Sequence, residues 1–386
     1  MSTTPVTATP VAAPPSALGA STTAGDSTAR DSAAFDSAAL DAAATDASAR
    51  VTPGRSDFAE LTGVVRRAGL LDRRHGYYAV KIAATLLAFA GGCVAFVLLG
   101  DSWWQLSTAV FFAVMFAQLA FLGHDAGHRQ ILRSGRANDR IGHTLAGFVG
   151  ISYGWWMGKH TRHHANPNHE DEDPDLDIPI LAFTRNQTQG RGGFVRWTAK
   201  NQAALFFPLL LLEGLSLHWT SVQTVWRGEV KARRLEAALL VGHFAGYLTA
   251  VFVVLPLPLA LAFIAVHQGL WGVYMGCSFA PGHKGMPTYT DANTLDFLRK
   301  QVLSSRNVRG GPWVDFALGG LNYQIEHHLF PSMPRVNLRR AQPVVREFCE
   351  QRGIEYAQCG LLRTYRHVLQ HLYDVGAPLR AKAAVQ

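Results

Sequence analysis

Four long runs of apolar residues alternate with polar and basic segments along the sequence. They cover about residues 81–99, 104–122, 235–255 and 258–279. A helix needs roughly 20 such residues to cross a hydrocarbon core about 30 Å thick, so each run predicts a transmembrane helix. Short breaks at Asp101 and Ser102, and at Pro256 and Pro258, join the runs pairwise. The pattern predicts an all-α integral membrane protein with four transmembrane helices in two hairpins.

Two shorter apolar stretches, residues 141–157 and 203–217, are interrupted by polar side chains such as His143 and Glu213. Segments of this kind suit helices that lie at the membrane surface or line a site, and we interpret both in this way. The alternative is that residues 203–219 form a further spanning helix.

The first 55 residues have a different composition, rich in Ala, Ser, Thr, Pro and Asp with almost no large apolar side chains. Such a segment cannot bury enough surface to offset its conformational entropy, so residues 1–55 are predicted to be a disordered tail. The tail also lacks the apolar core of a signal peptide. Residues 56–386 are expected to form one domain, in which 123–234 and 280–386 build a helical cytosolic cap.

Basic residues determine the predicted orientation. The net charge is +8, and Lys and Arg flank the apolar runs, whereas both hairpin tips carry none. The positive-inside rule therefore places the basic loops and both termini on the cytoplasmic side of the cell membrane. This topological explanation disfavours nucleic-acid binding as the reason for the charge. The four cysteines form no CxxC pair, so neither a disulfide framework nor a thiolate metal site is indicated.

Three histidine-rich boxes lie next to the predicted spans, on the cytoplasmic side. They contain His124 and His128; His160, His163 and His164; and Gln324, His327 and His328. Residues spaced i, i+3 and i+4 share one helix face, so each box can direct its side chains at one point. Neutral imidazole is a common metal ligand, and seven rings exceed the need of one four-coordinate ion. The boxes predict a site for two metal ions.

Other candidates lie close to these boxes. His283 follows the fourth run and is equally compatible with a ligand and with a structural role. Asp125 and Glu326 lie inside boxes and are candidates to accept a hydrogen bond from the far nitrogen of a ligating ring. Residues of three further kinds have a weaker claim: the histidines outside the boxes (His143, His169, His243 and His267), the acidic run 170–177, interpreted as a solvated loop, and Trp155, Trp156 and Trp313, interpreted as an interfacial belt or an acyl channel.

The three boxes with their flanking residues resemble the membrane fatty acid desaturase family. The stretches GHDAGH (123–128), HTRHHANPNH (160–169) and GGLNYQIEHHLFP (319–331) carry the likeness, which extends over about residues 60–360. The third box resembles that of the front-end, linoleoyl-CoA desaturase-like branch, because glutamine, here Gln324, stands at its first position. A further ligand of the family maps to His283, although Gly282 stands where asparagine is usual. The resemblance implies as metal ligands His124, His128, His160, His163, His164, His283, Gln324, His327 and His328.

The resemblance also implies a reaction. Two iron ions, cycling between Fe2+ and Fe3+, would use O2 as co-substrate to remove two hydrogens from an acyl chain, insert a cis double bond and reduce O2 to water. The acyl group would be linked to CoA, a carrier protein or a membrane lipid. No His-Pro-Gly-Gly motif of a fused cytochrome b5 domain occurs. Electrons are therefore expected from a separate protein such as a ferredoxin, a cytochrome b5 or a flavin reductase.

Two alternatives remain open at this point. A hydroxylase or ketolase could share the scaffold, because hydroxylation and desaturation begin with the same hydrogen abstraction. A metal-binding membrane transporter would also use histidines, but it should have polar ligands along its spans rather than in boxes at one side. The apolar C–H bond within an acyl substrate favours redox chemistry, since acid–base catalysis by protein groups cannot reach it.

Overall fold

The computed structural model describes residues 56–380, and the predicted tail over residues 1–55 lies outside this range. The first part of the protein forms α1 (Asp57–Arg67), α2 (His75–Leu99), α3 (Gln105–Gly127), α4 (Gly135–Val149) and α5 (Tyr153–Ala165). After a 3-10 turn at Asn186–Thr188 come α6 (Gly193–Leu210), α7 (Glu213–Arg227), α8 (Arg233–Val254) and α9 (Leu257–His283). The remainder comprises α10 (Phe297–Leu303), β1 (Asn307–Arg309), α11 (Pro312–Ala317), α12 (Gln324–Leu329), α13 (Arg335–Gln351), β2 (Gln358–Gly360), α14 (Leu361–Val375) and α15 (Ala377–Arg380).

Four of these helices are long and apolar enough to cross a membrane: α2, α3, α8 and α9. They match the four predicted runs to within one residue at the ends where the runs overshoot, and the predicted integral membrane fold built from helices is confirmed, with a short strand pair besides. Helix α2 leaves Leu87, Val94 and Leu98 exposed, as contact with lipid requires. Helix α3 is the most enclosed of the four and packs through Phe116 and Leu122 against α4 and α9. This packing fixes the end of α3 that contains the first histidine box.

The two ambiguous stretches are each divided between helices. The stretch 141–157 is split at Gly150, whose φ of 71° is left-handed, so α4 ends there and α5 begins at Tyr153. The stretch 203–217 is split between α6 and α7, which meet at an angle of 82°. Together α6 and α7 could form one broken span or a re-entrant segment, so the number of spans is four or five.

The C-terminal part and α1 together surround the third box with an apolar core. Helices α1, α10, α12 and α13 contribute side chains that are almost completely buried, among them Leu61, Val302, Ile325, Leu338 and Val345. A short parallel pair, β1 with β2, ties this region to the start of α14. Helix α12 has only six residues, too few for independent stability. Its position therefore depends on this surrounding core.

Candidate metal centre

The first box lies at the end of α3. His124 is in the last turn of this helix. His128 is the C-cap, and its backbone N–H donates to the carbonyl oxygens of Ala126 and His124. The next residue, Arg129, has a φ of 57° and turns the backbone away. Gly127 is required on the neighbouring face, since a Cβ there would lie 2.7 Å from the ring of Trp156. Helix α5 can thus approach α3 closely at the level of the two histidines.

The second box occupies the last turns of α5, whose first turn is held by a buried carboxylate. Ser152 is the N-cap and accepts a hydrogen bond from Trp155 N. Glu236, at the start of α8, accepts from Gly154 N at 3.1 Å and from the Ser152 hydroxyl. An anion at a helix N-terminus is favourable in itself. The start of α8 is therefore bound, through Glu236, to the first turn of α5, the helix that contains His160, His163 and His164.

The third box lies on α12, and all six residues of that helix are buried. It follows a turn of two glycines, Gly319 and Gly320, both with positive φ. A Cβ on Gly319 would lie 2.4 Å from the ring of Phe121, and one on Gly320 would lie 2.5 Å from Arg335. Glycines are needed here for conformation and for space, which brings α12 against the end of α3.

The eight imidazoles form two groups, in each of which the candidate ligand atoms lie within 4.8 Å of one another. The five-histidine group contains His124, His128, His160, His164 and His327. The three-histidine group contains His163, His283 and His328. The structure thus brings together every histidine of the three boxes, and it adds His283 at the end of α9. Gln324 joins the smaller group, with its Nε2 2.8 Å from Nε2 of His283.

Ring nitrogens face one another at distances expected for ligands of one ion. Nε2 of His160 lies 2.8 Å from that of His128 and 3.1 Å from that of His164. Nε2 of His283 lies 3.0 Å from that of His328 and 3.3 Å from that of His163. Two nitrogens about 2.0–2.1 Å from a shared ion are roughly 2.8–3.4 Å apart. His124 Nε2 is also buried without a hydrogen-bonding partner, so the donor set fits metal ions.

Burial keeps most of these rings neutral. It lowers the pKa of His128, His160, His164, His327 and His328 well below the ordinary histidine value, and neighbouring rings lower it further. A neutral ring offers a lone pair to a metal. His163 is the exception: burial alone would lower its pKa, but the carboxylates of Asp175 and Asp173 outweigh burial and raise it.

The far nitrogens of the three-histidine group have acceptors that the sequence did not indicate. His163 Nδ1 lies 3.0 Å from Asp173 Oδ1, in the acidic run that the sequence led us to interpret as a solvated loop. His283 Nδ1 lies 3.0 Å from the carbonyl oxygen of Ser304. His328 Nδ1 lies 2.9 Å from Oε1 of Gln301. Such contacts fix the ring orientation and the tautomer of a ligating histidine. Asp173 is buried, so the interpretation of that part of the run was wrong.

Asp125 and Glu326 do not act as predicted. Asp125 Oδ1 is 3.7 Å from His124 Nδ1, beyond hydrogen-bonding distance, and its other oxygen lies 2.7 Å from Nη2 of Arg335. Glu326 accepts from Asn307 Nδ2 at 2.7 Å and from the Tyr356 hydroxyl at 2.6 Å. Adjacent helical residues point in different directions, and this already argues against a carboxylate serving the neighbouring histidine.

The other histidines considered from the sequence lie outside both groups. His143 Nδ1 is 3.6 Å from Glu236, beside the start of α5. His169 Nε2 is 3.1 Å from Asp291, and His267 Nδ1 is 2.9 Å from the Tyr247 hydroxyl. His243 stacks against Tyr247, with ring centroids 6.0 Å apart.

The three tryptophans considered for an acyl channel have different surroundings. Trp156 stacks on His160, with ring centroids 4.6 Å apart, and so covers one side of the five-histidine group. Trp155 packs with the cluster around Val225 and Leu240. Trp313 is 84% exposed, which suits an interfacial anchor rather than a channel wall. Of these three, Trp156 is the one that lies against the candidate site.

Comparison with known proteins identifies the family. The model of the fatty acid desaturase family matches residues 101–360. The chain belongs to the fatty acid desaturase family. It is 31% identical over 335 residues to an acyl-lipid (9-3)-desaturase of Physcomitrium patens, an alignment that covers 83% of this protein and 62% of that one. This protein therefore spans less than two thirds of the length of the Physcomitrium patens relative.

Two further relatives have names of the same kind. The protein is 30% identical over 350 residues to the Delta(6)-fatty-acid desaturase fat-3 of Caenorhabditis elegans, covering 85% of this protein and 76% of that one. It is 28% identical over 319 residues to a Delta(8)-fatty-acid desaturase of Helianthus annuus, covering 78% and 69%. The likeness to front-end desaturases inferred from Gln324 is confirmed at the level of the family.

Proposed function

We propose that the protein is an O2-dependent acyl desaturase of lipid metabolism that uses two iron ions. The observation that carries this proposal is the pair of adjacent imidazole groups beside the ends of apolar helices. A C–H bond in the middle of an acyl group has no acidic proton, so no protein group removes its hydrogen by acid–base catalysis. A bound pair of redox-active ions with O2 would supply that oxidising power. Imidazole also suits Zn and Cu, so iron rests on the family.

The residues of the protein would contribute ligation, position and exclusion of water. The nine ligands proposed are the eight clustered histidines and Gln324. The five-histidine and three-histidine groups would each hold one ion. Trp156, stacked on His160, shields one side of the larger group from solvent. The acyl substrate would lie between the apolar helices, where its position relative to the ions would determine which C–C bond reacts.

Metal analysis and product analysis together test this function. We expect the purified protein to hold two iron ions per molecule and cells that produce it to contain an acyl product lighter by two hydrogens. A product heavier by one oxygen would instead identify a hydroxylase. His163→Ala should abolish the product and leave the protein in the membrane. His75→Ala is the control: it removes a ring that contacts the carbonyl oxygen of Ile131, and it should retain activity. Absence of bound iron in active wild-type protein would contradict the proposal.

We further propose that the histidine boxes face the cytoplasm. The support is the distribution of Lys and Arg. These residues flank the spans on the side of the boxes, and the short turn between α2 and α3, which contains Asp101 and Ser102, has none. A membrane-impermeant maleimide tests this in intact cells, with the parent protein as the background. It should label Ser102→Cys and leave Arg136→Cys unlabelled until the cells are opened. The reverse pattern would refute the orientation.

A separate acidic redox protein is the proposed electron donor. Arg133 and Arg136 are exposed and closely follow the first box, so their charge would steer an acidic carrier toward His128. A ferredoxin, a cytochrome b5 and a flavin reductase should each be tried in reconstitution with acyl-CoA, acyl-carrier-protein and lipid substrates. The double substitution Arg133→Glu and Arg136→Glu should slow turnover with the productive carrier. Arg346→Glu, on α13, is the matched control.

A further inference from the structure

A buried glutamine outside the three boxes contacts one residue of each imidazole group, a ring nitrogen in one and a backbone carbonyl in the other. Gln301 lies on α10 and is 0% exposed. Its Oε1 lies 2.9 Å from Nδ1 of His328, and its Nε2 donates to the carbonyl oxygen of His164 at 2.9 Å. His164 belongs to the five-histidine group and His328 to the three-histidine group. One amide thus joins the two proposed metal-binding groups.

The two histidines that Gln301 joins are also in direct contact with each other. Their rings stack with centroids 4.2 Å apart and an interplanar angle of 13°. A shift of either ring would therefore move a candidate ligand of one ion relative to a candidate ligand of the other. Because His164 and His328 are on different helices, α5 and α12, their backbones do not fix this stacking by themselves.

The chemistry of the amide suits both contacts. Oε1 accepts the proton of His328 Nδ1, which leaves Nε2 of that ring with its lone pair, directed toward His283 Nε2 at 3.0 Å. Nε2 of the amide is a donor, as the His164 carbonyl requires. A carboxylate would accept from His328 but would face the carbonyl oxygen without a donor. An apolar side group would satisfy neither contact.

Helix α10 is itself fixed by its N-cap and its buried side chains, so the position of Gln301 is fixed as well. The carboxylate of Asp296 caps it by accepting from Arg299 N at 2.8 Å. Leu298 and Val302, on either side of Gln301, are fully buried in the core around α12 and α13. Three residues after Gln301, the Ser304 carbonyl contacts His283 Nδ1. This end of α10 therefore serves two ligands of the smaller group.

We propose that Gln301 is a positioning residue that sets the relative placement of the two metal ions. The inference rests on the proposed dimetal function and goes beyond it, because it assigns the coupling of the two ions to a residue that is not a ligand. It predicts that loss of the amide disturbs metal binding and the spectrum of the metal pair while the protein remains folded.

Cobalt(II) is a suitable probe, since its visible absorption reports ligand geometry and binding can be titrated whatever the native metal is. We expect Gln301→Leu to weaken Co(II) binding by about 10–100-fold, as loss of an outer hydrogen bond to a ligand does. Its absorption bands should shift as well. Gln301→Glu keeps the acceptor for His328 and should restore the affinity in part. In iron-loaded protein, the Mössbauer signals of the two sites should change in Gln301→Leu.

The matched control is Gln202→Leu. Gln202 is equally buried and its amide bridges Ala182 and Leu372, away from both imidazole groups. It should lower thermal stability without altering the cobalt spectrum. Wild-type Co(II) affinity and spectrum in both Gln301 variants would overturn the proposal. If the wild-type protein binds two Co(II) ions but its iron-loaded form makes no unsaturated product, the desaturase function fails and the role of Gln301 stands or falls separately.

Discussion

Asp173 Oδ1 lies 3.0 Å from Nδ1 of His163, while the other nitrogen of that ring lies 3.3 Å from His283. The carboxylate is almost fully buried and also accepts from the backbone N–H groups of Asn168 and Asp175. Burial would raise the pKa of Asp173, but the hydrogen bond with His163 and the charges of His163 and Lys284 together outweigh burial and lower it. Asp173 thus contacts the far nitrogen of His163, whose other nitrogen faces the candidate metal position of the three-histidine group.

Asp173→Asn should weaken metal binding at the three-histidine group. The amide keeps an acceptor but removes the charge that favours the ligating tautomer, and changes of this kind cost about 10–100-fold in metal affinity. Metal analysis during dialysis against a chelator should therefore show one ion leaving before the other. Asp171→Asn is the control, since Asp171 is exposed in the same loop. Equal release of both ions from Asp173→Asn and wild-type protein would contradict the assignment.

The features that the sequence predicted are those set by local spacing. The spans follow from run length, and the boxes from the i, i+3 and i+4 positions on α3, α5 and α12. Asp173 and Gln301 had no such signal, because each reaches its histidine through the folding of the loops and of α10. Gln301 contacts the carbonyl of a residue 137 positions away. Contacts of this kind depend on tertiary packing, which one sequence does not encode as a periodic pattern.

Glu236 should stabilise α5 and thereby the second box. It accepts from Gly154 N and the Ser152 hydroxyl at the first turn of that helix. Its removal in Glu236→Ala would leave buried donors unpaired, at a cost of about 1–3 kcal/mol. Chemical denaturation in mixed micelles should show this loss, and metal release should begin at a lower denaturant concentration. Glu229→Gln, an exposed site before α8, should change neither quantity. Stability of Glu236→Ala equal to wild type would exclude this capping role.

Arg335 should hold α13 to the end of α3. Its guanidinium lies 2.7 Å from Asp125 Oδ2 and contacts the carbonyl of Phe121, with both charged groups buried. Removal of one partner of a buried pair costs about 3–5 kcal/mol, so Arg335→Met should unfold much more readily. The double variant with Asp125→Asn should lose less than the sum of the two single losses, because the unpaired charge is then absent.

Arg339→Met is the control for that cycle. Arg339 is 57% exposed in its side chain and lies 3.7 Å from Asp315. An exposed pair contributes about 0–1 kcal/mol, so the free energy of unfolding should change little. Strict additivity of the Arg335 and Asp125 substitutions would show that the buried pair does not act as a unit.

Gly282 should be needed for the position of Gln324. A Cβ at Gly282 would lie 2.8 Å from Gln324 Cγ, so the small residue here leaves room for the amide. Gly282→Ala should therefore displace the amide from His283 and lower stability by about 1–3 kcal/mol through overpacking. Metal affinity at the three-histidine group should fall with it, as measured by the Co(II) titration.

A second substitution separates crowding from the change in helix propensity at Gly282. Adding Gln324→Ala to Gly282→Ala removes the group that the new Cβ meets, so the pair should recover part of the lost stability. Gly158→Ala on α5, with no atom within 4 Å of its new Cβ, should instead stabilise the protein by up to about 1 kcal/mol. If Gln324→Ala does not reduce the loss of stability caused by Gly282→Ala, crowding with Gln324 is not its cause. Gly282 would then be needed for the local backbone conformation, where its carbonyl accepts a hydrogen bond from the N–H of Arg306. Recovery of stability without recovery of Co(II) affinity would show that Gln324 itself contributes to metal binding, because the double variant relieves the crowding but still lacks the amide.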